Sequence, residues 1–104
     1  MLSIIAAAQL TVADLTDLRC VYVYQTASTA VTGDNRWAMT TAQTWFEGRL
    51  SARNPQLHVM NYVTKNFVFP KRAVGDADLR QCSQIFARWQ EQELGGGSHA
   101  TPQK

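Results

Sequence analysis

Apolar side chains recur every three or four residues along most of this chain, which is the spacing of one face of an α-helix. The first such stretch follows Thr11 and carries Asp14 three positions later, an arrangement typical of a capping box at a helix start. It predicts a first helix over residues 12–30. The run Cys20–Tyr24 is β-branched and aromatic and by itself suits a strand. Its apolar residues are consecutive, however, and the acidic start of the segment favours a buried helix.

A turn signal at residues 33–35 separates this helix from the next apolar stretch. Asp34 or Asn35 is expected to cap a second helix that runs to about Arg53. Gly48 lies inside it, where glycine costs about 1 kcal/mol relative to alanine, and this predicts the close approach of another helix. One face of the second helix is formed by Ala38, Ala42, Trp45, Phe46 and Arg49, extended by Met39 and Leu50.

Proline and aspartate residues mark the boundaries of two further predicted helices. Asn54 as N-cap and Pro55 at the first helical position predict a third helix, which ends before Pro70. Asp76 or Asp78 opens a fourth helix. The apolar faces consist of Val59, Met60, Val63 and Phe67 in the third helix, and of Leu79, Cys82, Ile85, Phe86 and Trp89 in the fourth.

These elements predict an all-α fold, a small four-helix bundle-like domain over residues 10–94. A chain of 104 residues has room for one domain only. Residues 1–9 are a short apolar run with small residues at 6–8, and we interpret them as the remnant of a secretory signal or as an N-terminal arm. Residues 95–104 are polar and glycine-rich, so we expect a disordered tail. No run has the length of a transmembrane helix, so no membrane span is predicted.

Composition and charge limit the kinds of partner that we expect this protein to bind. The chain is 45% hydrophobic and 17% charged, a balance that excludes an intrinsically disordered protein. Its formal net charge is +2, and both signs are spread along the chain. Lys65, Lys71 and Arg72 surround an aromatic segment at 67–70, a pattern that also occurs where single-stranded nucleic acid or an anionic surface is bound. Three cations are few, and we predict no nucleic-acid partner.

The two cysteines, Cys20 and Cys82, lie on apolar faces of the first and last helices. In a small exported chain this predicts one disulfide, the alternative being two buried thiols. The chain has no Cys-x-x-Cys redox motif, and His58 cannot complete a four-ligand zinc site with them. We therefore expect no metal and no cofactor, and a periplasmic or secreted location.

The candidates for polar chemistry are three side chains. Arg49 and Arg53 lie one helical turn apart and are suited to hold a ligand carboxylate, or else to pair with carbonyls or aspartates of a neighbouring helix. His58 would need a nucleophile and an orienting carboxylate to act as a general base, and an exposed helical histidine is the simpler interpretation. No catalytic residue is predicted, and we expect the protein not to be an enzyme.

The stretch Phe46–Arg53 has the form aromatic-x-Gly-Arg-Leu-x-Ala-Arg. Between Cys20 in the first helix and Cys82 in the last, it resembles a family of short exported helical proteins of unknown function from alphaproteobacteria, over residues 11–94. The resemblance implies export and a disulfide and supplies no activity. A single disulfide between early and late helices is also similar, more distantly, to the HdeA-type acid-stress chaperones.

The working surface is predicted to be apolar and helical. The chain holds three Trp, three Tyr, four Phe and three Met, residue types that are enriched in interface cores. Tyr24 and Trp37 are the expected outward-facing members. The hypothesis is an exported binding or assembly module that meets a protein partner or a second copy. The alternatives are a periplasmic acid-stress chaperone and an enzyme of unrecognised type.

Overall fold

The computed structural model describes residues 10–95, and within them the chain forms four helices and no strand. The helices are α1 (Val12–Ser28), α2 (Gly33–Arg53), α3 (Val59–Val63) and α4 (Asp76–Trp89). A π-helical turn continues α3 over Thr64–Val68, and another continues α4 over Gln90–Gly95. The predicted all-α fold of four helices is confirmed. The proposed arm at 1–9 and residues 96–104 of the predicted tail lie outside the described residues.

α1 begins with the predicted capping box. The backbone N–H of Asp14 donates to Oγ1 of Thr11 at 3.1 Å, and the N–H of Thr11 donates to Oδ2 of Asp14 at 3.0 Å. These two bonds satisfy donors that have no partner within the helix. The sequence signal was sufficient here because every atom of the motif belongs to one turn of chain.

The middle of α1 is the centre of the molecule. Five consecutive residues, Cys20–Tyr24, are buried, which happens only when a helix is covered on all sides. α2, α3 and α4 all pack against α1. The β-branched run is therefore a buried helix, as predicted, because neighbours surround it and leave no polar face at that point.

α2 begins earlier than predicted. Its N-cap is Thr32, and Asp34 and Asn35 lie inside the first turn, so the predicted cap at Asp34 or Asn35 is wrong. The chain enters the helix through Gly33, whose φ of 63° is in the left-handed region that glycine adopts without steric cost. The glycine, and not a capping side chain, fixes where this helix starts.

Gly48 does not face another helix. It is exposed, and a methyl group added to it would meet no atom within 4 Å. The buried side of α2 is formed by Ala42, Phe46 and Leu50 at intervals of four. Gly48 is two residues from Phe46, about 200° around the helix, and therefore faces solvent. The predicted close approach is wrong.

The third helix begins four residues later than predicted. Asn54 ends α2: its N–H and its side-chain Nδ2 both donate to the carbonyl of Leu50, at 2.8 and 3.3 Å. A turn follows, closed by a bond from the N–H of Leu57 to the carbonyl of Asn54 at 2.9 Å. α3 starts only at Val59, so Asn54 is a C-cap and not an N-cap. Its amide is used by the preceding helix.

The core lies between α1 and α2, with α3 and α4 closing two sides. α4 packs mainly against α1, and few of its residues come near α2. The largest fully buried side chains are Leu18, Val21 and Val23 of α1, Phe46 and Leu50 of α2, and Val63 of α3. An open groove is left between the first half of α2 and the last half of α4.

Candidate functional site

Four charged side chains join the start of α1 to the end of α2; we call them the carboxylate clamp (Asp14, Asp17, Arg49 and Arg53). Arg53 donates from Nε to Oδ1 of Asp14 at 2.7 Å and from Nη2 to Oδ2 of Asp17 at 2.6 Å. Nε of Arg49 lies 3.4 Å from the same Oδ2 of Asp17. The two aspartates are only 2% and 1% exposed. The arginines thus pair with a neighbouring helix, the second of the two roles considered for them.

The clamp sets the acid behaviour of one of its carboxyls. The pKa of Asp14 is lowered from 3.8 to about 2. The largest cause is the hydrogen bond from the backbone N–H of Thr11, and the side chain of Arg53 adds to it, while burial acts in the opposite direction. A carboxylate with these donors is a structural anchor that stays ionised, with its oxygens already occupied.

Cys20 and Cys82 form the predicted disulfide, with their Cα atoms 5.6 Å apart and a sequence separation of 62. Both residues are buried. The bond ties α1 to α4 and is flanked by an ion pair from Nη2 of Arg19 to Oδ2 of Asp78 at 3.1 Å. Its position in the core makes it a structural crosslink.

Tyr24 does not face outward, and that prediction is wrong. The residue is 4% exposed, its ring stacks on Phe46 with centroids 6.0 Å apart, and its hydroxyl is 3.0 Å from Oγ of Ser83. Burial raises the pKa of its hydroxyl. The partner on α4 lets the phenol be buried without losing its hydrogen bond. Trp37 is 72% exposed, as predicted.

Trp37 is the most exposed aromatic residue of a groove between α2 and α4. We define the aromatic groove by its lining residues, Trp37, Thr40, Thr41, Thr44, Trp45, Phe86 and Trp89. Ring centroids of Trp45 lie 5.2 Å from Phe86 and 5.0 Å from Trp89, and those of Phe86 and Trp89 are 5.6 Å apart. Three rings therefore pack against one another and form a continuous apolar floor.

The threonines make the groove more apolar than their type suggests. The hydroxyls of Thr40, Thr41 and Thr44 donate to the carbonyls four residues earlier, at 2.9 Å in each case. These donors are used within α2, which leaves fewer polar groups for a ligand. The groove therefore offers shape and apolar area, with little directed hydrogen bonding.

The connection after α3 carries a second exposed aromatic. We call residues 68–72 the Phe69 loop. Phe69 is 80% exposed, whereas Phe67, two residues earlier, stacks on Tyr22 with centroids 5.3 Å apart. The loop is held in place because the hydroxyl of Tyr22 donates to the carbonyl of Arg72 at 2.8 Å, and Nε of Arg72 donates to the carbonyl of Asn66 at 2.7 Å.

The remaining polar candidate is His58. His58 is exposed, as expected, but it is the extended N-cap of α3 and not a helical residue, so that part of the prediction is wrong. Among residues 10–95, no three metal-ligating side chains come together. No helix of that same region is long and apolar enough to cross a bilayer. The disulfide fits an oxidising environment.

Comparison of the chain with protein-family models, with curated proteins and with solved structures finds no match.

The aromatic groove was not recognised from the sequence, although a signal was present. Its α2 residues occur at positions 37, 40, 41, 44 and 45, which is the i, i+3, i+4, i+7, i+8 spacing of one helix face. Phe86 and Trp89 show the same three-residue spacing on α4. Threonine is a polar residue type, but the three hydroxyls here are bonded to backbone carbonyls of α2, which the sequence does not show.

Proposed function

We propose that this protein is a non-enzymatic, exported helical binding or assembly module that acts through apolar helix surfaces. The observation that carries the proposal is the aromatic groove: three tryptophans and a phenylalanine line one face, and one of them, Trp37, is 72% exposed. Tryptophan is the residue type most enriched among those that dominate binding energy at protein interfaces.

Export is part of the proposal. The disulfide between Cys20 and Cys82 supports a periplasmic or secreted location, because such bonds persist in oxidising compartments. A small domain with one core also gains much of its stability from such a crosslink. The module is thus built to keep its shape outside the reducing interior of a cell.

The lining favours a protein partner over a small substrate. Small-molecule sites combine apolar walls with a few placed polar groups that orient the ligand. In the aromatic groove the three threonine hydroxyls are engaged with backbone carbonyls, and none of the lining residues in the described part of the chain is charged. An open groove between two helices is the shape into which another apolar helix face packs.

The occupant we propose is a second copy of the chain. One face presents both an exposed apolar knob, Trp37, and an apolar floor made by Trp45, Phe86 and Trp89. A two-fold axis through this face brings the knob of each copy to the floor of the other, which is the condition for a closed, isologous contact. α2 near the groove also carries both Asp34 and Arg36, so neither charge sign accumulates across the axis.

Sedimentation equilibrium over a range of protein concentrations tests this proposal. We expect a reversible dimer whose association weakens about thirtyfold in Trp37→Ala, the loss typical of an interface tryptophan of about 2 kcal/mol. Phe69→Ala is the matched control, because it removes a similarly exposed aromatic outside the groove and should leave association unchanged. A folded wild-type protein that stays monomeric at every concentration would overturn the proposal, as would equal weakening by both variants.

A further inference from the structure

The Phe69 loop combines an exposed apolar tip with unpaired positive charge. Phe69 is 80% exposed and Val68 next to it is 38% exposed, and Pro70 follows. Lys65, Lys71 and Arg72 flank this tip in the sequence, and all three are exposed. Within residues 10–95, none of these three cations forms an ion pair.

The charge of this part of the chain is one-sided. The segment between Glu47 and Asp76 has no acidic residue. Its two arginines at 49 and 53 are neutralised by the carboxylate clamp, so the uncompensated charge lies in and next to the loop. The formal net charge of the whole chain, +2, does not reveal this local excess of positive charge.

The loop is held in a fixed shape, although its tip touches little. Arg72 is held by two hydrogen bonds: its carbonyl accepts from the hydroxyl of Tyr22, and its Nε donates to the carbonyl of Asn66. Next to it, Nη2 of Arg19 donates to the carbonyl of Ala73 at 2.8 Å. Phe67 stacks inward on Tyr22, whereas Phe69 points away from the core. The stability of the fold explains Phe67 but gives no reason for a phenylalanine at position 69.

We propose that the Phe69 loop docks on the surface of a membrane that contains anionic phospholipids. Phe69 and Val68 enter the boundary between headgroups and acyl chains, and Lys65, Lys71 and Arg72 lie at the phosphates. The charge and the apolar tip complement the two layers of such a surface. The site precedes the start of α4, while the aromatic groove lies at its end, so the proposal goes beyond the assembly role and is independent of it.

Co-sedimentation with lipid vesicles tests the proposal. We expect binding to vesicles of phosphatidylcholine mixed with phosphatidylglycerol, and much weaker binding to phosphatidylcholine alone. About 1 M salt should release the protein, since the screening length then falls to about 3 Å. Equal binding to both vesicle types, or binding that salt leaves unchanged, would overturn the proposal.

Three variants localise the contact. Phe69→Ala should weaken vesicle binding about tenfold through lost apolar burial. Lys71→Asn removes a charge but suits the local φ of 53°, which asparagine tolerates, and should weaken binding about fivefold. Trp37→Ala is the control and should bind vesicles like the wild type, while it loses self-association. Phe69→Ala and Trp37→Ala therefore distinguish a failure of the membrane proposal from a failure of the self-association proposal.

A soluble polyanion separates the membrane from other anionic partners. Single-stranded nucleic acid should compete weakly, because it offers phosphates but no apolar layer for Phe69. If nucleic acid binds as tightly as vesicles and Phe69→Ala changes neither interaction, the membrane proposal is wrong and the loop is a simple cation patch.

Discussion

Arg53 and Asp14 are 39 residues apart in sequence, yet Nε of Arg53 donates to Oδ1 of Asp14 at 2.7 Å. The bond joins the last residue of α2 to the first turn of α1. The same guanidinium also reaches Asp17, so one partly exposed arginine compensates two buried carboxylates. Removing it would leave Asp14 with its bonds to Thr11 and Asp17 with Arg49, and both buried carboxylates would lose a charged donor.

The first prediction concerns this arginine. Arg53→Ala should lower the free energy of unfolding by about 3 kcal/mol, the lower end of the cost of breaking a buried ion pair, because water can reach part of the site. Chemical denaturation monitored by circular dichroism measures the loss. Arg36→Ala, an exposed arginine on the same helix without an ion pair in the described chain, should change stability by less than about 0.5 kcal/mol.

The second prediction is a loss of stability in acid. Since folding lowers the pKa of Asp14 from 3.8 to about 2, the carboxylate stabilises the fold above pH 3.8 and this contribution disappears as pH falls toward 2. Its size is at most about 2 kcal/mol. Asp14→Asn should flatten this part of the stability profile, whereas Asp34→Asn, at an exposed position, should not. A wild-type profile that is flat between these pH values would contradict the assignment.

The same pKa separates the assembly module from the alternative of an acid-stress chaperone. At about pH 3 Asp14 is still mainly ionised, so its bonds to Thr11 and Arg53 should hold and the protein should bind no more apolar dye than at neutral pH. A chaperone activated by acid would open its helices and bind dye at that pH. Dye fluorescence during an acid titration decides between the two.

Gly48 offers a gain in stability. Because it is an exposed helical glycine with open space around it, Gly48→Ala should raise the free energy of unfolding by about 1 kcal/mol. Gly33→Ala should lower it, since the φ of 63° there is strained for a residue with a Cβ atom. Thermal unfolding of the two variants should therefore shift in opposite directions. Equal shifts would mean that the helix start at Gly33 is misplaced.

The disulfide is expected to supply a large part of the stability. A loop of 62 residues predicts about 4 kcal/mol in the chain-entropy model. The double variant Cys20→Ser, Cys82→Ser should unfold at much lower denaturant concentration, and reduction of the wild type should have a similar effect. Wild-type protein whose unfolding is unaffected by a reductant would contradict a structural crosslink.

Features within one turn of chain could be predicted from the sequence, and pairings between distant residues could not. Thr11 and Asp14 define their capping box locally, and the consecutive apolar run from Val21 to Tyr24 indicated a helix buried on all sides. Asn54 was ambiguous, because asparagine can end one helix or begin the next, and the carbonyl of Leu50 decided between them. Periodicity does not specify which half of a helix remains uncovered.

In the candidate binding surface, too, local features could be predicted from the sequence and contacts between distant residues could not. Trp37 was correctly expected to be exposed, since it follows closely after a turn, but Tyr24 was not recognised as buried because its partner Ser83 is 59 residues away. The aromatic groove needs α2 and α4 side by side, and no local pattern determines that α4 packs on α1 and leaves this gap.

The most direct test of the assembly proposal detects contacts between two copies. An equal mixture of isotope-labelled and unlabelled protein allows nuclear Overhauser effects between copies to be observed selectively. We predict such effects between the indole of Trp37 in one copy and the rings of Trp45, Phe86 and Trp89 in the other, and their loss in Trp37→Ala. Contacts confined to another surface, or none at concentrations well above those used for sedimentation, would contradict the account.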